Sequence, residues 1–224
     1  MKKITLILSI ILVLLIAYYF WNSYQKKHTF NTVPPVTIID GKHLLATVTS
    51  TSDKSIDYSD PKILSGKSDY VVIAQVKTID GAINLNPKTN QYIMTSTIGT
   101  ISIEQVLKGD QSVSNNKSIK IIRAGGIISA LEYEKGLKDT QIEKLGINDL
   151  SSAEKSSNYI NEYYFDDISI QVGKRYLMYL KYDADFDRYS IIGFQYGLRE
   201  YSGSTKKVKV NNTNKWEALT DKLY

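Results

Sequence analysis

The sequence predicts a mainly β domain carried behind an apolar N-terminal helix, and three observations predict it. Short β-branched runs recur between turn residues, the period changes once to a helical one near residue 150, and residues 4–21 carry no charge. The short runs fit a pleated surface better than a buried helix.

Composition narrows the chemistry. A chain of 224 residues holds one well-buried domain with extensions, and seventeen tyrosines favour sheets and half-buried surfaces. The formal net charge of +5 includes Lys2 and Lys3, and the other basic residues form no dense block. Nucleic acid is therefore not an expected partner. The absence of cysteine excludes disulfides, cysteine nucleophiles, Fe–S clusters and thiolate zinc sites. It also suits a protein outside the cytoplasm of a host that does not use disulfides. The two histidines, His28 and His43, cannot build a multi-histidine metal site, and neither lies in a serine-triad motif. No metal and no cofactor is expected. Richness in Ile, Lys and Asn points to a low-GC bacterium.

Lys2-Lys3 precedes eighteen residues, 4–21, whose polar side chains are only Thr5, Ser9, Tyr18 and Tyr19. As a helix they would reach about 27 Å, enough to cross a hydrocarbon core of about 30 Å. Tyr18, Tyr19 and Trp21 stand where an interfacial belt would put them. No small-residue cleavage pattern follows. Residues 1–24 are thus expected to form an uncleaved signal anchor with the rest of the chain outside, and a secreted protein if the segment is cleaved. Residues 25–60 read as a tether and lead-in segment. Pro34-Pro35 stiffens it toward polyproline II, and Asp40-Gly41 is placed to turn a small hairpin.

The domain is expected over residues 61–224. Pro61 suits the first position of a helical turn. Residues 70–79 read as the first core strand, ended by Asp80-Gly81. A second strand spans residues 91–107, with Gly99 as a bulge or bend and Ile101 and Ile103 on a half-buried face. The third spans residues 117–123 and breaks at Gly125-Gly126. Ser151 and Glu154 then form a capping box, and Ala153, Ser156, Ile160 and Tyr163 or Tyr164 recur at helical spacing. Strand character returns at residues 168–170, in a fourth core strand at 176–182 and in a fifth at 188–195. In the tail, Trp216, Leu219 and Leu223 share one helical face, so a short docking helix is expected over residues 214–223.

Three strands, a helical segment and two strands is the order of an OB-fold, a five-stranded β-barrel with its helix between strands 3 and 4. An immunoglobulin-like sandwich needs about seven strands and has no place for that helix. Three stretches also resemble the netrin-like family, which includes the tissue inhibitors of metalloproteases. They are Ser-Asp-Tyr-Val-Val-Ile-Ala-Gln-Val at residues 68–76, Val-Leu-Lys-Gly-Asp at 106–110, and Gly-Lys-Arg-Tyr-Leu-Met-Tyr-Leu at 173–180. The resemblance covers roughly residues 68–200 and implies an OB-type barrel. The family's inhibitors reach the protease zinc through an amino-terminal cysteine, which this chain lacks, so zinc-directed inhibition is not implied.

Candidate sites follow from loops. Asn84, Asn86 and Asn90 lie between the first two strands, and Asp183, Asp185 and Asp187 between the last two, where OB-folds bind ligands. The aspartates alternate like a calcium loop, but Arg188 stands where the loop needs glycine and Phe194 where it needs glutamate. Solvated hairpin residues are the simpler reading. Glu162, Asp166 and Asp167 form a carboxylate cluster of the kind that serves as general acid and base, or that merely flanks a helix end. Tyrosines such as Tyr164, Tyr182, Tyr189 and Tyr196 either stack on sugars or peptides or pack the strands. Arg123-Ala124-Gly125-Gly126 lacks the Lys-Ser/Thr of a phosphate loop and reads as a strand end. The leading expectation is a membrane-anchored, extracytoplasmic, non-catalytic binding module of the bacterial cell envelope, with a protein or glycan partner. The alternatives are an envelope-polymer hydrolase using Glu162 and Asp167, and a structural subunit docking through its Trp216 helix.

Overall fold

The computed structural model describes residues 37–39, 41–51, 56–110 and 112–224. Strands hold 49% of the described residues and helices 17%, so the mainly β expectation holds. The expected membrane helix over residues 4–21 lies outside the described residues. No helix among the described residues is long and apolar enough to cross a membrane.

The hairpin forms at its expected turn. β1 (Thr37–Ile39) and β2 (Lys42–Ser50) pair antiparallel around Gly41, whose φ of +74° is open to glycine. The expected lead-in segment thus contributes a strand to the fold, because β2 pairs far along the chain. Helix α1 (Pro61–Lys67) starts where Asp60 accepts from the Lys62 amide at 2.8 Å, with proline in the first turn.

β3 (Tyr70–Leu85) runs past the stop expected at Asp80-Gly81. Gly81 takes a φ of +122°, and a register shift between Ile79 and Gly81 absorbs the irregularity. Pairing with β4 (Tyr92–Lys108) then continues to Leu85↔Tyr92. Gly99 of β4 lies at this irregular stretch, where a Cβ would come within 2.3 Å of the Thr78 carbonyl. β5 (Ser118–Ala124) pairs antiparallel with β4, and Gly125, at φ +86°, passes the chain into β6 (Gly126–Ser129).

Three short helices follow: α2 (Ala130–Glu134), α3 (Asp139–Lys144) and α4 (Ser152–Ser157). The Ser151/Glu154 capping box is present, with the Ser151 amide donating to Glu154 at 2.8 Å. The helix does not continue through Ile160 and Tyr163. Residues from Asn158 onward form β7 (Asn158–Tyr164), parallel to β2 and antiparallel to β6. Tyrosine, asparagine and isoleucine are weak helix formers, and two long-range strand partners outweigh one helical face.

β8 (Arg175–Asp183) and β9 (Arg188–Ile191) correspond to the fourth and fifth expected core strands. Residues 168–170 are not a strand, although Ile168 and Ile170 pack into the core. β9 ends early, and a turn of helix, α5 (Phe194–Gly197), leads to β10 (Leu198–Ser202), β11 (Lys207–Val210) and β12 (Lys215–Ala218). The expected tail helix is replaced by β12 and a 3-10 turn over Asp221–Leu223. β11 supplies β12 with antiparallel hydrogen bonds, while Leu223 is buried and Trp216 is 43% exposed.

One sheet has the order β1-β2-β7-β6 and the other β12-β11-β10-β8-β3-β4-β5-β9. A further β8–β9 pairing makes the large sheet return on itself: β3, β4, β5, β9 and β8 each pair with two others of the five. β5–β9 is the parallel contact among them. Core residues alternate along β3 and β8. Val72, Ala74, Val76, Met178 and Leu180 join Ile101, Ile103, Ile119 and Ile121 in one cluster. Val71, Ile73, Leu177 and Tyr179 join Leu64, Val208 and Leu223 in another. A third cluster, with Ile128, Tyr133, Ile147 and Ile160, lies under the small sheet.

Two outcomes are expected of this packing. Leu177 is fully buried, so Leu177→Ala should lower unfolding free energy by about 2–5 kcal/mol, read from urea midpoints. Asp110 accepts from the Tyr70 hydroxyl at 2.6 Å and the Ser112 amide at 2.8 Å, and these bonds, Tyr70 foremost, hold its carboxyl below the usual range. The folded state therefore prefers the ionised form. Its contribution is full above the ordinary carboxylate pKa and fades as pH falls through the lowered one. Urea midpoints taken down a pH series should fall less in Asp110→Asn than in the parent.

Candidate ligand-binding crevice

The two loops selected from sequence meet. Lys88 donates to the Ala184 carbonyl and lies 3.9 Å from the Asp185 carboxylate, both side chains being mostly exposed. The six predicted residues serve different ends. Asn84 is buried and donates to the Tyr133 carbonyl at 2.9 Å. Asn86 accepts from the amides of Lys88 and Thr89 at 2.9 and 3.1 Å, which folds the hairpin tip. Asn90, exposed, takes the left-handed conformation with φ +55°. Asp183 accepts from the Asp185 amide at 3.0 Å, and Asp187 from the Tyr182 hydroxyl at 2.7 Å. Among the described residues, no three His, Asp or Glu side chains gather to hold a metal ion.

Beside the second loop lies a crevice of about 340 Å³. Its lining includes Met94 and Ser96 of β4, Ile122 and Arg123 of β5, Ser190 of β9, and Asp183 and Phe186 of the loop. Tyr58 and Phe194 add aromatic rings. β4 and β5 pair as Thr97↔Arg123 and Ile98↔Ile122. Strand alternation therefore sets Ser96 and Ile122 on the face opposite the core residues Ile101 and Ile121. Phe194 has a φ of +50°, a conformation rarely taken by a bulky residue, and its ring meets Tyr164 edge-on at 4.4 Å.

Two buried charges also line the crevice. Arg123 Nη2 donates to Asp167 Oδ1 at 2.5 Å, and the side chains are only 7% and 5% exposed. Asp167 also accepts from the Ile168 amide at 2.8 Å. Burial lowers the Arg123 pKa and raises that of Asp167, against their mutual attraction. Arg123 Nε has no hydrogen-bond partner. From the sequence alone, Arg123 reads as a strand end and Asp167 as a helix flank. The available signal was phase: Arg123 follows Ile119 and Ile121 at a spacing of two, which places a cation on the core side of β5.

Glu162, the other carboxylate selected from sequence, does not line this crevice. It is 4% exposed and accepts from the Thr95 amide at 3.2 Å and the Ser50 hydroxyl at 3.4 Å. Burial first, and the Glu162 charge second, push the Tyr92 hydroxyl up to about 12. The same two causes raise Tyr133 further. Asp166, next to Asp167, is exposed with φ +64°.

No protein-family model matches the chain, and no curated protein matches it.

The buried pair makes a specific prediction. Arg123→Met leaves Asp167 buried beside an apolar chain and should destabilise the fold by about 3–5 kcal/mol. Arg123→Met combined with Asp167→Leu should recover most of that loss. Urea unfolding of the parent and both variants checks the ordering.

Proposed function

We propose that this chain is a non-catalytic binding module built on an OB-type β-barrel and anchored outside a bacterial membrane by its N-terminal segment. The observation that carries the reading is the meeting of residues 84–90 and 183–187 beside the crevice. In an OB-fold, the face of strands 2 and 3 and the loops between strands 1 and 2 and between 4 and 5 bind ligands. Here β4 and β5 line the crevice, and the 183–187 loop supplies Asp183 and Phe186. The pairing order supports the barrel. β3, β4 and β5 are consecutive antiparallel neighbours, β9 lies parallel beside β5, and β8 returns to β3. The netrin-like resemblance points the same way: its stretches are neighbours at Val72↔Val106, Val71↔Lys108 and Tyr70↔Leu180.

A non-catalytic role is favoured over hydrolysis because Glu162 and Asp167 are both buried and bonded to their own chain. A hydrolase would present both carboxylates to one substrate bond. The partner is an envelope protein or glycan, which the mixed apolar and hydroxyl lining suits better than a polyanion.

Two experiments on the full chain in cells test location and site. Because the chain has no cysteine, Ser204→Cys supplies a single thiol on an exposed turn. It should react with a membrane-impermeant maleimide on intact cells, and labelling only after lysis would place the domain inside. A photo-crosslinking residue at Asp185 should give a discrete protein or glycan adduct that a second change, Ser190→Trp in the crevice, removes. Equal adducts from Asp185 and from Lys207 on β11 would refute the crevice as the binding site.

A further inference from the structure

The large sheet ends at β12, whose residues Lys215, Trp216, Glu217 and Ala218 are all exposed. Among the described residues, only β11 pairs with it, so its outer edge carries backbone amides and carbonyls with no strand beside them. We propose that this edge pairs antiparallel with β12 of a second copy of the chain, about a two-fold axis at Trp216.

The hydrogen-bond phase of the hairpin decides which residues face outward. The Leu219 amide donates to the Lys206 carbonyl at 3.0 Å, one step beyond the Lys207↔Ala218 pair. Bonded and non-bonded pairs alternate along an antiparallel ladder. Glu217 and Lys215 therefore turn their backbone groups toward β11, and Trp216 and Ala218 turn theirs outward. A second β12 can form bonds only where outward residues meet outward residues. Centring the axis on Lys215 meets that condition but sets two lysines opposite each other, and centring it on Glu217 sets two glutamates opposite. Like charges directly opposite destabilise a sheet. Centring on Ala218 sets Glu217 opposite Leu219 and leaves Lys215 without an opposing charge. Centring on Trp216 sets each Lys215 opposite the other copy's Glu217.

The side chains suit that register. The two Trp216 residues exchange both backbone bonds, and the flanking Lys215 and Glu217 pairs fall at non-bonded positions, where Cα atoms lie about 4.5 Å apart and side chains are close. Arg199 already donates to one oxygen of Glu217. The Glu217 side chain is nevertheless 46% exposed, which leaves its other oxygen open to the second copy's lysine. The Trp216 rings, each 43% exposed in one copy, become cross-strand neighbours on the opposite face. Edge charges ordinarily discourage pairing; here their opposite signs discourage the other registers and favour this one. None of the β12 residues lines the crevice, so the inference stands whether or not the crevice binds a ligand.

Four residues from each copy make a small interface, so the association is weak and is best read by trapping. The chain has no cysteine, which allows full-length Lys215→Cys and Glu217→Cys, carrying tags of different length, to be mixed in neutral detergent and oxidised. The two thiols meet within disulfide range only in the Trp216-centred register. The disulfide-linked heterodimer should exceed either homodimer at least about fivefold. Ala218→Pro in both copies removes an outward N–H, which an edge strand tolerates, and should reduce the heterodimer to background. Lys215→Glu added to the Glu217→Cys copy sets glutamate against glutamate in the remaining pair and should slow cross-linking roughly three- to tenfold. If Ala218→Pro fails to fold by circular dichroism, this exposed substitution decides alone. The proposal is overturned if no heterodimer forms, if either homodimer matches it, or if a folded Ala218→Pro or the Lys215→Glu change leaves cross-linking as it was.

Discussion

The structure depends on a wall of two strands that is buried on both faces. In β3, Val72, Ala74 and Val76 face one cluster while Val71 and Ile73 face the other, and β8 repeats the division with Met178 and Leu180 against Leu177 and Tyr179. A strand with one solvated face would alternate apolar and polar residues, whereas this pair is apolar at every shared position from Tyr70↔Leu180 to Ala74↔Tyr176. Both faces must then be covered. β4, β5 and β9 cover the first, and α1, Val208 of β11 and the closing turn at Leu223 cover the second. The hydroxyl of buried Tyr179 donates to the Leu223 carbonyl, which ties the chain end to the wall and satisfies the hydroxyl.

Two buried carboxylates in this interior are held by partners from distant parts of the chain. The Arg123–Asp167 pair joins β5 to the segment leading into β8, so it links two parts of the covering layer beside the crevice. Buried pairs of this kind add little net stability but are expensive to break, because either charge left alone lacks water. Glu162 plays a similar part between β7 and β4, where it accepts the Thr95 amide. Carboxylates used in this way are structural acceptors. The crevice beside the Arg123–Asp167 pair is lined otherwise mainly by apolar side chains and hydroxyls, with Asp183 at the loop.

The two loops that meet through Lys88 and Ala184 are legible in the sequence as loops, but not as partners. Asn86-Pro87 and alternating aspartates announce turns through local hydrogen bonding, and Asn86 makes the bonds such a residue makes. That Lys88 would reach Ala184, 96 residues away, is not written in either loop. The Arg123–Asp167 pair spans 44 residues, and only the phase of Arg123 in its strand hints that it needs a partner. The edge-on contact of Tyr164 with Phe194 is the clearest case, because no spacing rule connects residues 164 and 194.

Local rules determined the strand-rich composition, the Asp60 and Ser151 helix starts, the turn at Gly41 and the bend near Gly99. They act between residues a few positions apart and survive in any tertiary setting. Tertiary structure decided the rest. Residues 158–164 became a strand because β2 and β6 offered pairing on both sides, β3 outran its expected stop because β4 stayed paired with it beyond the register shift at Gly81, and the tail paired with β11 instead of coiling. Hydrogen-bonded partners and buried faces far away in the chain carry more free energy than one marginal helical turn, so long-range contacts prevail wherever local preference is weak.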